Sequence, residues 1–105
     1  MKWEVVYLPE AEKDFKSLDG SQKMLVRKAI EKIRQNPLSV DEQGYGKPLG
    51  KNLSGFLKVK LRHAGLRIVY RVIRTETTMV IVVVGARADE EVYKIAQKRI
   101  QKYSI

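Results

Sequence analysis

The chain has no cysteine, so neither a disulfide nor a thiolate-bound metal can hold it together, and a small secreted domain would ordinarily need one of these. An intracellular protein is the expectation. Histidine is almost missing too: His63 stands alone, with no acid beside it and no Gly-x-Ser-x-Gly elbow anywhere in the chain. That excludes a histidine-cysteine metal cluster and a Ser-His-acid triad as expected devices, and His63 is read as a turn residue. No apolar run approaches membrane-spanning length, and Met1-Lys2-Trp3-Glu4 leads into a strand instead of a signal-peptide core. The most informative absence is one sign of charge. From Gln43 to Thr75 there is no Asp or Glu, while Lys47, Lys51, Lys58, Lys60, Arg62, Arg67, Arg71 and Arg74 all fall in that stretch.

What is present fits one domain spanning residues 1–105, long enough for a modest core and too short for two. Twenty-one Lys and Arg against twelve Asp and Glu leave a net charge of +9, concentrated in the acid-free middle third. There the charge alternates with hydrophobe. In Leu57-Lys58-Val59-Lys60-Leu61-Arg62 a period of two places Lys58, Lys60 and Arg62 on one side of a strand and Leu57, Val59 and Leu61 on the other. A sheet face built this way suits a polyanion.

Trp3 to Leu8 is expected as a strand, followed by a helix opened by Pro9 with Glu10 and Glu12 near its positive end and Ala11, Phe15 and Leu18 buried. Asp19-Gly20 breaks that helix, and Ser21 is expected to cap a second one, whose stripe is Leu25, Val26, Ala29, Ile30 and Ile33. From Pro37 to Gly55 the chain shows no sustained periodicity and is read as a long loop. Two strands joined through His63-Ala64-Gly65-Leu66 follow, then a turn at Thr75 to Thr78 and a strand from Met79 to Ala86 that is apolar enough to be covered on both faces. Asp89 is expected to cap a last helix with Val92, Ile95, Ala96 and Ile100 on one stripe.

The order β-α-α-β-β-β-α predicts an α+β domain: an antiparallel-rich sheet with a helical hairpin on one face and a basic open face. A loop of two or four residues at the turn pairs Arg62 with Arg67 and Lys58 with Arg71, opposing like charges that an anion would relieve. Tyr7 and Tyr70 point to the hydrophobic side. The loop Gly44 to Lys51 has the glycines and lysines of a phosphate cradle and lacks its Gly-Lys-Ser/Thr ending.

No metal site and no cofactor is expected, and no spaced carboxylate pair stands near the basic face. Lysines, arginines and a tyrosine suffice for one reaction, the cleavage of RNA by its own 2′-hydroxyl. The protein must withdraw a proton, stabilise the charge on the phosphorane and protonate the leaving 5′ oxygen. Lysine flanked by cations becomes a usable base or acid, and arginine stays protonated and offers a planar fork. Arg62 and Arg71, on the same expected face, and Lys51 before it are read as electrostatic attachments for RNA; His63 lies close enough to touch it.

In Leu57-Lys-Val-Lys-Leu-Arg62, Gly65-Leu-Arg-Ile-Val-Tyr-Arg71, Val84-Gly-Ala-Arg87, Glu91-Val-Tyr93 and Lys98-Arg-Ile100, the chain resembles the RelE-type toxins of bacterial toxin–antitoxin systems, within the RelE/ParE superfamily. The resemblance covers nearly the whole chain. It implies a cytoplasmic, ribosome-dependent endoribonuclease that cuts mRNA in the vacant A site and is held in a hetero-oligomer by a cognate antitoxin. By position, Lys58 and Lys60 match the family's paired lysines, one the base and the other a phosphate support. Arg67 matches the arginine that stabilises the transition state, Arg87 the one that contacts phosphate or donates a proton, and Tyr93 the tyrosine that stacks on a base. A mechanism resting on a Glu and a C-terminal His is not expected, since no such His is present. The alternatives are a non-catalytic module of the ParE type directed at DNA gyrase, or a remnant that only binds antitoxin.

Overall fold

The computed structural model describes residues 2–50, 53 and 55–105. Its elements run β1 (Glu4–Tyr7), α1 (Pro9–Lys16), α2 (Gly20–Ile33), β2 (Lys47–Pro48), β3 (Phe56–Leu61), β4 (Leu66–Ile73), β5 (Thr78–Gly85) and α3 (Asp89–Tyr103). The strands form one five-stranded sheet in the order β1-β5-β4-β3-β2, with β1 parallel to β5 and the other pairings antiparallel. This is the expected α+β architecture with one strand more. β2 is two residues long and ends in Pro48, too short to show a period, and so the stretch read as loop carries a strand and a 3-10 turn at Val40–Glu42. Among the described residues no helix is long and apolar enough to cross a membrane.

The helices start where backbone chemistry dictates. Pro9 opens α1, with Glu10 and Glu12 in its first turn and Lys13 and Lys16 in its last. Asp19, not Ser21, caps α2: its Oδ1 accepts from the Gln22 amide at 2.8 Å, and the Gln22 side chain accepts from the Asp19 amide at 3.1 Å. This reciprocal box satisfies two donors that a helix start leaves free. Val26, Ile30 and Ile33 then bury one face of α2, while Leu25 of the expected stripe is turned outward. α3 begins after Ala88, which makes no side-chain cap, so Asp89 is the first helical residue and its carboxylate is available elsewhere.

Met79 to Val84 are all buried, as a strand covered on both faces requires. Tyr70 of β4 is fully buried and its hydroxyl donates to the Pro37 carbonyl at 2.7 Å, tying the sheet to the end of the helical hairpin; Tyr7 is half-buried. Gly46 lets the backbone pass this hydroxyl, since a Cβ there would lie 2.3 Å from it.

Pairing of β4 with β5 slips between Val69 and Tyr70, so Val82 has no partner in the register. β1 ends at Tyr7, opposite Ile81, and beyond it the edge of β5 is finished by side chains. The Val84 amide donates to Asp14 Oδ2 at 3.2 Å, and Arg99 donates to the Val82 carbonyl at 2.9 Å. Arg99 also takes both Asp14 oxygens, at 2.6 and 3.1 Å. One bidentate pair thereby joins α1, α3 and the sheet edge.

The β3–β4 register differs from the expected one. Leu61 pairs with Leu66, Lys60 with Arg67, Lys58 with Val69 and Phe56 with Arg71. Arg62, His63 and Ala64 form a 3-10 turn closed by Gly65 in the left-handed region (φ 66°), which removes Arg62 from the strand and shifts the pairing by two residues. A shift of two preserves which face each side chain occupies. The pairs Arg62 with Arg67 and Lys58 with Arg71 are therefore absent, and like charges oppose one another instead at Lys60 with Arg67 and, across β2–β3, at Lys47 with Lys58.

Candidate functional site

Lys58 and Lys60 leave β3 on the same side, Arg67 leaves β4 opposite Lys60, α3 brings Asp89 and Tyr93 to them, and the turn before α3 brings the Arg87 carbonyl. Four of the five residues singled out for chemistry, Lys58, Lys60, Arg67 and Tyr93, are thus carried by β3, β4 and α3, and Arg87 stands in the turn between β5 and α3. Lys58 Nζ donates to the Tyr93 hydroxyl and lies 5.0 Å from the ring centroid, within cation–π reach. Arg67 donates through Nη1 to the Arg87 carbonyl at 2.6 Å, which fixes its guanidinium against the turn after β5. The Arg87 side chain is mostly exposed, with Glu91 at 3.9 Å. Tyr93, Lys58 and Arg67 are partly buried and Lys60 is more exposed, so the group is held by packing on one side and open to a ligand on the other.

One member was not legible beforehand. The Asp89 carboxylate spans two cations, accepting from Lys60 Nζ at 2.9 Å through Oδ2 and from Arg67 Nε through Oδ1. The hydrogen bond from Lys60 is the largest influence and holds its carboxyl below the usual aspartate range, with burial opposing it and the hydrogen bond from Arg67 reinforcing it. Asp89 and Glu91 therefore stand beside the basic residues, which corrects the expectation of no spaced carboxylate pair near the basic face, and Lys60 is not surrounded by cations alone. The available signal was Asp89-Glu90-Glu91, the acidic cluster that begins two residues after Arg87.

The residues expected to attach RNA are less concentrated. Arg62 sits in the exposed turn, and still borders the groove of about 210 Å³ that it shares with Tyr45, Lys47, Lys58 and Lys60. Lys47 of β2 thus joins the cluster, and Tyr45 flanks it. Arg71 lies further along β4, its guanidinium 5.7 Å from the Phe56 ring, and lines a different cleft with Glu42 and Arg74. Lys51 lies outside the described residues. His63 is exposed in the turn, as read from the sequence. Among the described residues no group of three His, Cys, Asp or Glu could hold a metal ion.

Chemically, the arrangement offers two amines, a guanidinium and a phenol, with a single carboxylate spanning two of the cations and the exposed Arg87 side chain carried on the turn whose carbonyl Arg67 holds. Such a set can neutralise a phosphodiester and move protons on and off its oxygens.

Comparison with known proteins agrees on the fold. The family described as "ParE toxin of type II toxin-antitoxin system, parDE" matches residues 5–91. A putative RelE-like toxin protein of Escherichia coli is 29% identical over 101 residues, covering 96% of this chain and 100% of that protein. The mRNA interferase toxin RelE of Escherichia coli (strain K12) is 30% identical over 88 residues, covering 84% of this chain and 86% of its own length. The solved structure of a double arginine-to-alanine variant of E. coli toxin RelE in the free state superposes with a TM-score of 0.76 at 26% identity, over 95% of this chain and 99% of that one.

Proposed function

Because the chain belongs to the ParE toxin family of type II toxin–antitoxin systems and is a RelE-type member of the RelE/ParE superfamily, we propose that it is an mRNA interferase. It acts as a metal-independent endoribonuclease that cuts messenger RNA in the ribosomal A site and so stops translation. The contacts that support this reading link Lys58 to Tyr93 and, through Asp89, Lys60 to Arg67, which itself donates to the Arg87 carbonyl.

The chemistry needs no group beyond these. The lysine pair Lys58 and Lys60 takes the proton of the 2′-hydroxyl and supports the phosphate. The freed O2′ attacks the adjacent phosphorus, Arg67 meets the charge that builds on the equatorial oxygens, and the P–O5′ bond breaks as Arg87 assists the leaving oxygen in gaining a proton. The products are a 2′,3′-cyclic phosphate and a 5′-hydroxyl. Tyr93, already packed against Lys58, offers a ring on which a base of the codon stacks. Lys47, Arg62 and Arg71 add attachment to RNA, as would Lys51. The ribosome and its mRNA place the protein in the cytoplasm, and a cognate antitoxin with acidic residues for the basic cleft completes a hetero-oligomer.

The description of the matching family favours a second reading, a non-catalytic module of the ParE type that acts on DNA gyrase. The two part in one experiment. Added to a purified translation system and, separately, to a gyrase supercoiling reaction, the protein is expected to halt translation at sub-stoichiometric amounts and leave supercoiling intact. Arrested supercoiling with undisturbed translation would select the gyrase reading.

A further inference from the structure

Lys60 and Arg67 face one another across β3 and β4, and two like charges in that position destabilise the pairing. Asp89 answers both: one carboxylate oxygen on each cation, from the first residue of a neighbouring helix. A phosphodiester also presents two anionic oxygens on one centre, and the same two cations would take them in the same way. We infer that Asp89 is the protein's own occupant of the phosphate subsite, a counter-ion that an RNA phosphate displaces on binding and that thereby sets how tightly the site holds RNA. This rests on the reading of the site as an RNA-cleaving one and assigns a controlling residue within it.

The surroundings suit a group that must leave. The Asp89 side chain is 36% exposed and Lys60 is 35% exposed, and ion pairs this accessible contribute little to stability. Ala88 holds the N-cap position, so turning the Asp89 carboxylate away uncaps nothing, and the start of α3 still favours it electrostatically. Arg67 keeps its bond to the Arg87 carbonyl when Asp89 withdraws, so its fork remains in place for the incoming phosphate. Glu91 is a poorer candidate, reaching Arg87 only at 3.9 Å between side chains that are both more than 60% exposed.

The test uses a short RNA methylated at every 2′ oxygen, which cannot be cut, with binding read by fluorescence anisotropy at fixed low salt. D89N is expected to bind roughly three- to tenfold more tightly than the unaltered chain. E90Q removes the same charge from the exposed residue next to Asp89 and is expected to change binding by less than about twofold. On ribosomes D89N is expected to lower KM with kcat held within about twofold, since the displaced group makes no contact in the reacting state. Unchanged or weaker RNA binding by D89N, an equal gain in E90Q, or a fall in kcat at constant KM would each overturn the inference, the last by making Asp89 a positioning residue. D89S, also neutral, decides the matter if D89N does not fold. Loss of cleavage on ribosomes by the unaltered chain would remove the nuclease reading, whereas the anisotropy comparison judges Asp89 independently.

Discussion

Arg67→Ala is expected to lower single-turnover cleavage of ribosome-bound mRNA by about a hundredfold or more, the effect of removing one preorganised donor from a developing oxyanion. The guanidinium is partly buried and anchored to the Arg87 carbonyl through Nη1, a bond that does not depend on Asp89. It therefore meets the transition state without first having to be ordered. Lysine at the same position keeps the charge and loses the planar fork, so Arg67→Lys should recover only part of the rate. Folding is not the cause of the loss: the ion pair with Asp89 is 23% and 36% exposed, and its removal is expected to change stability by no more than about 1 kcal/mol. Arg62→Ala, in the exposed turn, is the matched control and should act on binding alone. A folded Arg67→Ala protein that cuts at the normal rate would remove this residue from the reaction.

The largest stability effect is expected far from that spot, at Asp14. Its carboxylate takes two hydrogen bonds from Arg99 and one from the Val84 amide, and the two side chains are only 21% and 16% exposed. Asp14→Ala leaves a largely buried guanidinium with the Val82 carbonyl as its remaining partner and leaves the β5 edge amide without an acceptor. Removing one partner of a buried pair is the costly way to break it, and a loss of about 2 to 4 kcal/mol is expected, read from the urea midpoint. That is a large part of the stability of a domain this size. Asp14→Asn keeps the shape and one acceptor and should lose less. A change in midpoint equivalent to less than about 0.5 kcal/mol for Asp14→Ala would show that the pair is not holding α1, α3 and the sheet edge together.

Much of this organisation is local in sequence and could be read there. The alternation around Lys58 and Lys60 sets their shared face, and the apolar run from Met79 to Val84 marks a strand covered on both sides. The capping box at Asp19 and Gln22 was also within reach, because its residues stand at the spacing the motif requires. The hairpin register was not, since it depends on Arg62 entering a 3-10 turn instead of extending β3. Nor was the place of Asp89, whose partners lie 29 and 22 residues earlier and come together only through the packing of α3. The resemblance to RelE-type toxins supplied the grouping of five residues, and the fold supplied the carboxylate among them.

The most direct measurement is to incubate the purified protein with ribosomes carrying a defined mRNA and an empty A site, and to map new RNA ends and their chemistry. Cleavage within the A-site codon, leaving a 2′,3′-cyclic phosphate and a 5′-hydroxyl, is expected for the unaltered chain and not for a folded Lys58→Ala/Lys60→Ala double variant. Intact mRNA beside folded, ribosome-bound protein would contradict the nuclease reading and turn attention to a binding role.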